Sequence, residues 1–255
     1  MRLKDKAVIV TGSSMGIGEA IARRAVEEGA RVMIHGKEVE ESQALADQLS
    51  MPVCVGDLAD PDHCEELVAG ALDNFGKLDG VVNNAGVVWR NLIEGTDADF
   101  WDGVMAVNAR APMLITRAAL PHLAATHGAV VNIGSVNAYS GEPNLLAYSA
   151  AKGALMTLTR NLGDTLHRDH GVRVNQINPG WVLSDGERQR KIDEGMDDDW
   201  FAKLDRNTAP SGRIIEPAEI AATVVHFLTD ELGPISGQVL DLEQFPFIGR
   251  NPPKC

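Results

Sequence analysis

"TGSSMGIG", residues 11–18, follows the apolar run "KAVIV" at 6–10 and leads into the helical pattern of residues 17–28. Glycines at 12, 16 and 18 in such a place serve as a hinge, a tight turn or a cradle for a charged ligand. The strand–turn–helix context favours the cradle. Gly12 lets the chain turn sharply at the strand end, Gly16 lets backbone come close to a phosphate, and Gly18 lets the helix approach the sheet. The unpaired N–H groups of the helix then face a pyrophosphate, with Ser14, Met15 and Ile17 completing the turn.

The alternation continues outward from this turn. Runs at Ala7–Thr11, Arg31–His35, Pro52–Val55, Gly80–Asn83, Ala129–Ile133, Arg173–Ile177 and Gln238–Leu242 read as strands covered on both faces. Helical patterns fill the gaps at 17–28, 38–49, 61–74, 97–125, 149–169 and 216–229. This is the rhythm of a doubly wound, Rossmann-type α/β domain with about seven parallel strands flanked by helices. Thr96 and Asp99 have the spacing of a capping box ahead of the long fourth helix, Pro217 and Glu219 start the last one, and Gly128 and Gly171 close two others. Residues 184–212 break the rhythm. They are charged, yet Met196, Trp200, Phe201 and Leu204 recur at amphipathic spacing, which predicts one or two short surface helices acting as a substrate lid. From 243 to 255 the chain carries Phe245 and Phe247 among prolines, a composition suited to packing on a neighbouring subunit or back on its own core.

With 255 residues, 44% of them hydrophobic, the chain is long enough for one domain over 1–255 with a sizeable core. A net charge of -13 and an aromatic content of 5% argue against nucleic acid as a partner. The opening "MRLKDKAVIVTG" reads as the approach to a strand and not as a signal peptide, and no apolar stretch reaches the length of a bilayer span. Cys54, Cys64 and Cys255 are too irregular for a disulfide framework or a metal knuckle. No metal and a reducing cytoplasm are expected, with the thiols as packing or surface residues.

Tyr148 and Lys152 stand four residues apart and share one helix face. In isolation such a pair also reads as a half-buried tyrosine with a lysine snorkelling past it. Acid–base work requires the phenol, ordinarily near pKa 10, to titrate lower, which a neighbouring ammonium favours. Ser135 ends the preceding strand.

Across nearly its whole length the sequence resembles the classical short-chain dehydrogenase/reductase family. "TGSSMGIG" is similar to that family's TGxxxGxG turn, "GD" at 56–57 to its adenine-side acidic position, and "NNAG" at 83–86 to its central-strand signature. "VN" at 107–108, "IGS" at 133–135, "YSAAK" at 148–152 and "NPG" at 178–180 continue the match. The resemblance implies an oxidoreductase that moves a hydride between a nicotinamide cofactor and a secondary alcohol or carbonyl. It implies Tyr148 as general acid or base, Ser135 as hydrogen-bond partner of the reacting oxygen, Lys152 on the nicotinamide ribose, and Asn108 holding a water in a proton relay. It further implies cofactor contacts at Asp57 and Leu58, at Asn83, Asn84, Ala85 and Gly86, at Pro179, Gly180 and Val182, and at Ser184, where relatives commonly carry a threonine. A homotetramer is the assembly implied.

A carboxylate ending the second strand would bond both ribose hydroxyls of NAD and repel a 2'-phosphate. Gly36 stands there instead, followed by Lys37, as in the family's NADP-binding members, so NADP(H) is expected over NAD(H). Glu38 and Glu40 oppose that reading, and Met15 is not the basic residue of many NADP-preferring relatives. The substrate wall is expected from Trp89, Arg90, Asn137, Tyr139, Glu142, Asn144, Trp181, Glu187 and Arg188, a polar set suited to the hydroxyls of a small polar molecule. "PGWVLSDGE" and "DLEQFPFIGRNP" are more loosely similar to bacterial sugar or polyol dehydrogenases. A 3-oxoacyl thioester reductase is the alternative, for which a basic docking patch would be diagnostic. A dinucleotide-sensing protein without activity is the alternative of another class, and the intact Ser135, Tyr148 and Lys152 speak against it.

Overall fold

The computed structural model of the chain describes residues 1–244. Its strands are β1 (Ala7–Val10), β2 (Arg31–Gly36), β3 (Val53–Val55), β4 (Gly80–Asn83), β5 (Ala129–Ile133), β6 (Arg173–Pro179) and β7 (Val239–Leu242). They form one parallel sheet of 7 strands in the order β3-β2-β1-β4-β5-β6-β7. Parallel neighbours need crossovers, which the helices supply. These are α1 (Gly16–Glu27), α2 (Val39–Leu49), α3 (Pro61–Phe75), α4 (Ala98–Met105), α5 (Ala111–Thr126), α6 (Asn137–Ser140), α7 (Leu146–His170), α8 (Asp185–Asp193) and α9 (Pro217–Leu228). The strand order reverses between β1 and β4, which opens a crevice at the carboxyl ends of the strands.

Side-chain alternation divides the core. Val8 and Val10 pack with Ile21 of α1 and Val224 of α9 on one face. Ile9 between them packs with Leu67 of α3 and Ile115 of α5 on the other. All seven are buried, and all but Leu67 are β-branched, as a strand sandwiched between two helical layers requires. No helix among the described residues is long and apolar enough to cross a membrane.

Three local expectations are corrected. The helix expected over 97–125 is broken into α4, a π-helical turn at Ala106–Arg110, and α5. Pro112 has no N–H to offer the carbonyl of Asn108 and its ring crowds that carbonyl, so the ladder widens there. Asp97, not Thr96, caps α4, its carboxylate accepting the Phe100 N–H at 2.9 Å. Helix α7 starts at Leu146, so Tyr148 lies within its first turn. At α9 the capping box forms between Glu216 and Glu219, with Pro217 in the first turn. In the stretch 184–212, α8 and a 3-10 turn at Trp200–Ala202 form, and Trp200 buries against Ala209 and Ile214. The phenylalanines at 245 and 247 lie outside the described residues.

Candidate active site

The dinucleotide turn joins β1 to α1 at the crevice. Gly12 has φ +59°, and a Cβ there would come within 2.9 Å of Ala85 Cα. A Cβ at Gly18 would collide with the Gly12 carbonyl, so the helix start meets the strand end only through glycine. Asn84 ties the next strand to this turn, donating from Nδ2 to the carbonyls of Thr11 at 2.9 Å and Gly12 at 3.0 Å. Thr11 Oγ1 accepts in return from the N–H groups of Asn84 at 3.0 Å and Ala85 at 2.9 Å. No side chain among the described residues caps the N-terminus of α1. Its free N–H groups and the positive end of its dipole therefore suit an anion.

At the adenosine end the sequence expectation is refined. A Cβ at Gly36 would strike Ser42 Oγ and lie 2.8 Å from Ser14 Oγ, leaving no room for a carboxylate. Lys37 Nζ pairs with Asp57 Oδ2 at 2.7 Å, and Asp57 Oδ1 accepts the Ala59 N–H at 2.9 Å. The Lys37 hydrogen bond holds the Asp57 carboxyl below its ordinary value, and Asp57 raises Lys37 in turn. Leu58 is buried among core residues of the α3 and α5 side, so only its backbone is available to a ligand.

Between the carboxyl ends of β4, β5 and β6 lies a cavity of about 490 Å³, with Ser135, Tyr148 and Lys152 in its wall. Lys152 Nζ donates to the Ile133 carbonyl at 2.8 Å and stands 5.6 Å from the centre of the Tyr148 ring. Burial lowers Lys152 from 10.5 to about 8. Tyr148 does not follow the expectation of a lowered phenol. Burial raises it, while a hydrogen bond from Ser135 and the charge of Arg90 pull it part of the way back. Lys152, held by the Ile133 carbonyl, is not among the groups that lower the phenol.

Asn108 is fully buried on the π-helical turn, its Nδ2 donating to the carbonyls of Val87 and Val104, each at 3.0 Å. Its Oδ1 has no partner among the described residues. A Cβ at Gly86 would come 2.7 Å from that oxygen and 3.5 Å from Lys152 Nζ. Gly86 thus keeps open a polar space between Asn108 and Lys152. An orphaned acceptor, a buried ammonium and an uncapped helix along one crevice fit a polar, phosphorylated cofactor.

Ser135 is held from behind by a ladder of amides crossing the strand ends. Asn83 donates to Asn132 at 2.8 Å, Asn132 to Thr159 at 2.8 Å, and Thr159 to Gln176 at 2.9 Å. Gln176 donates to Asn178 at 2.7 Å, and Asn178 Oδ1 also accepts the Ser135 N–H at 3.1 Å. The Ser135 hydroxyl in turn accepts the Asn137 N–H at 3.2 Å.

Of the expected cofactor and substrate residues, Ile17, Asn84, Gly86, Asn137, Glu142, Pro179, Gly180, Trp181, Val182, Ser184 and Glu187 line the cavity, as does Arg90. Ser184 doubles as the cap of α8, accepting the Glu187 N–H at 3.2 Å. Trp89, Tyr139, Asn144 and Arg188 do not line it. Trp89 packs on Phe100, Tyr139 donates to Asp241 at 3.1 Å, Asn144 accepts from Arg90 at 3.2 Å, and Arg188 lies over the Phe201 ring. Glu187 is already engaged, accepting the Trp181 indole N–H at 2.7 Å and two bonds from Arg190.

Sequence reasoning missed Arg190, Lys191 and Glu243, all in the cavity wall. Glu243 accepts the N–H groups of Trp181 and Gln244, and burial raises its carboxyl. Its carboxylate occupies the space a Cβ on Gly180 would need, which is the one local signal linking the two. Cys64 is fully buried, its thiol pushed up to about 11 by burial, so packing accounts for it. Among the described residues no group of three or more His, Cys, Asp or Glu side chains is placed to hold a metal ion.

A parallel sheet in this order, with a glycine turn at its crevice and a Ser, Tyr and Lys cluster across it, defines a dinucleotide-binding oxidoreductase fold. The chain belongs to the short-chain dehydrogenase/reductase family: the family model described as Enoyl-(Acyl carrier protein) reductase matches residues 12–243. It is 34% identical over 247 residues to 2-(S)-hydroxypropyl-CoM dehydrogenase 3 of Xanthobacter autotrophicus, covering 92% of this chain and 94% of the relative. It is 37% identical over 233 residues to L-fucose dehydrogenase of Mus musculus, covering 90% and 84%. An uncharacterized oxidoreductase of Thermotoga maritima is 32% identical over 251 residues, covering 95% and 98%.

Proposed function

We propose that the chain is an NAD(P)-dependent dehydrogenase/reductase that interconverts a secondary alcohol and its carbonyl in a small polar hydroxy compound, a sugar or polyol, with NADP(H) preferred. The observation that carries this reading is the convergence of Ser135, Tyr148 and Lys152 on one cavity beside the glycine turn. When bound, the nicotinamide supplies or accepts the hydride. In reduction Tyr148 donates its hydroxyl proton to the carbonyl oxygen, and in oxidation its phenolate takes the alcohol proton. Ser135 hydrogen-bonds the same oxygen and stabilises the charge that develops on it. Lys152 binds the nicotinamide ribose, while Ser135 and the charge of Arg90 are the groups that favour the phenolate. Asn108, with its unpartnered Oδ1 near Lys152, holds a water that carries the proton onward.

The preference for NADP(H) draws on Gly36, where a carboxylate has no room, and on the exposed cation Lys37 beside it, which would exchange Asp57 for a 2'-phosphate. The polar substrate draws on Glu142, Glu243 and Arg90 in the wall, and on the names of two relatives that act on hydroxy compounds. Residues 184–212 act as the lid, and the assembly is a homotetramer.

The description of the matching family favours a second reading, an acyl thioester reductase. A panel of L-fucose, D-glucose, glycerol, 2-butanol and acetoacetyl-CoA, assayed at 340 nm with both cofactors, tests the choice. Turnover of a sugar or polyol is the expected result. Thioester reduction without sugar or polyol turnover would replace the first reading by the second.

A further inference from the structure

His35, next to the end of β2, lies beneath the dinucleotide turn and is only 3% exposed. Its Nδ1 accepts the Gly12 N–H at 3.2 Å. Its backbone secures the next residue, the carbonyl accepting the Ser13 N–H at 2.7 Å and the N–H donating to Ser13 Oγ at 2.9 Å. From the opposite side Asn84 grips the Gly12 carbonyl at 3.0 Å. Gly12 is therefore held at its N–H from β2 and at its C=O from β4. It is also the residue whose φ of +59° sets the direction of the turn.

The donor in this contact is a backbone N–H, which fixes the chemistry of the ring. Nδ1 must carry a lone pair, so the imidazole is neutral with its proton on Nε2. Nε2 is buried with no partner among the described residues. The groups around it are the His63 ring on α3, with centroids 5.5 Å apart, Cys54 opposite on β3, the Asp57 carboxylate, and the backbone of Gly56 and of His35 itself. Burial and the neighbouring His63 lower His35 to about 4, against the opposing pull of its own backbone, the Asp57 charge and the Gly56 backbone, so the ring is neutral at neutral pH.

We propose that His35 is a positioning residue for the cofactor: its Nδ1 lone pair fixes the Gly12 peptide so that the turn is formed for the diphosphate before the dinucleotide arrives. This rests on the dinucleotide reading of the crevice. Losing the acceptor leaves the Gly12 N–H buried and unpaired in the free protein, and the turn relaxes to satisfy it. Binding must then restore the strained arrangement, which weakens affinity by about tenfold.

The test compares His35→Phe, which keeps a ring without the acceptor, with His35→Asn, whose Oδ1 takes the place of Nδ1. NADPH and NADH binding are read by nicotinamide fluorescence, folding by thermal melting, and binding of 2'-AMP, which has no diphosphate, by calorimetry. His35→Phe is expected to lose about tenfold for both dinucleotides with 2'-AMP unchanged, while His35→Asn stays within about twofold of wild type. Equal affinities in wild type and a folded His35→Phe, or equal losses in both variants, would overturn the role of His35. Should His35→Phe not fold, imidazole 15N shifts of the wild type decide, the Nε2–H tautomer supporting the contact and an Nδ1–H tautomer overturning it. Binding of neither dinucleotide by the wild type would overturn the underlying reading and this proposal with it.

Discussion

Replacing Asn178 by leucine keeps the branched shape of the side chain, with somewhat larger methyl groups, and removes an amide used in three ways. Its Oδ1 accepts the Ser135 N–H at 3.1 Å and the Gln176 amide at 2.7 Å, and its Nδ2 donates to Asp241 at 2.9 Å. Asp241 is exposed and turns to water. The other two donors are buried and have no such recourse. Leaving a buried donor unpaired costs about 1–3 kcal/mol, so two of them cost roughly 3 kcal/mol after partial relaxation. For a chain of this size that is a fall in Tm of about 6–12 °C. Urea unfolding followed by circular dichroism, at one protein concentration, should show the midpoint falling with the slope unchanged. Asn178→Asp retains both acceptor contacts and should lose less, apart from its repulsion with Asp241. A loss below about 1 kcal/mol in the leucine variant would refute the claim that this amide anchors Ser135.

Lys37→Glu places a second acid beside Asp57 and should reverse the preference of the wild type for NADPH over NADH, read by fluorescence titration. A wild type that binds NADH more tightly would contradict the reading of Gly36 and Lys37. Lys152 titrates near 8 when folded against an ordinary 10.5, so between those values the unfolded chain binds more protons and stability rises with pH. The stability difference between wild type and Lys152→Met, from urea midpoints at pH 7.5 and 10, should therefore grow in favour of wild type as pH increases. Parallel slopes would show that Lys152 is not buried as a charge.

The fold was legible because each strand is a short Val- and Ile-rich run ended by a glycine or polar turn, and "TGSSMGIG" fixes which end of the sheet faces a ligand. The break at Asn108 was written in the sequence as Pro112, but Pro121 sits inside α5 without breaking it, so proline alone did not distinguish a kink from a tolerated position. Ser135, Tyr148 and Lys152 were legible as types and spacings. The charge balance around Tyr148 was not, since it depends on Lys152 reaching the Ile133 carbonyl and on Arg90 arriving from another loop. Lys37 and Asp57 lie 20 residues apart and meet because β2 and β3 pair through Gly36 and Val55. Glu243 enters the cavity from the end of β7 by the same kind of tertiary registration, as do Arg190 and Lys191 from α8.

The most direct test is hydride transfer by Tyr148→Phe, which removes one hydroxyl and little else. With the best substrate from the panel, turnover at 340 nm should fall at least about 100-fold, while NADPH binding measured on the same sample stays at the wild-type value. Wild-type turnover in that variant would contradict the assignment of proton transfer to Tyr148, and with it the chemistry assigned to the cavity.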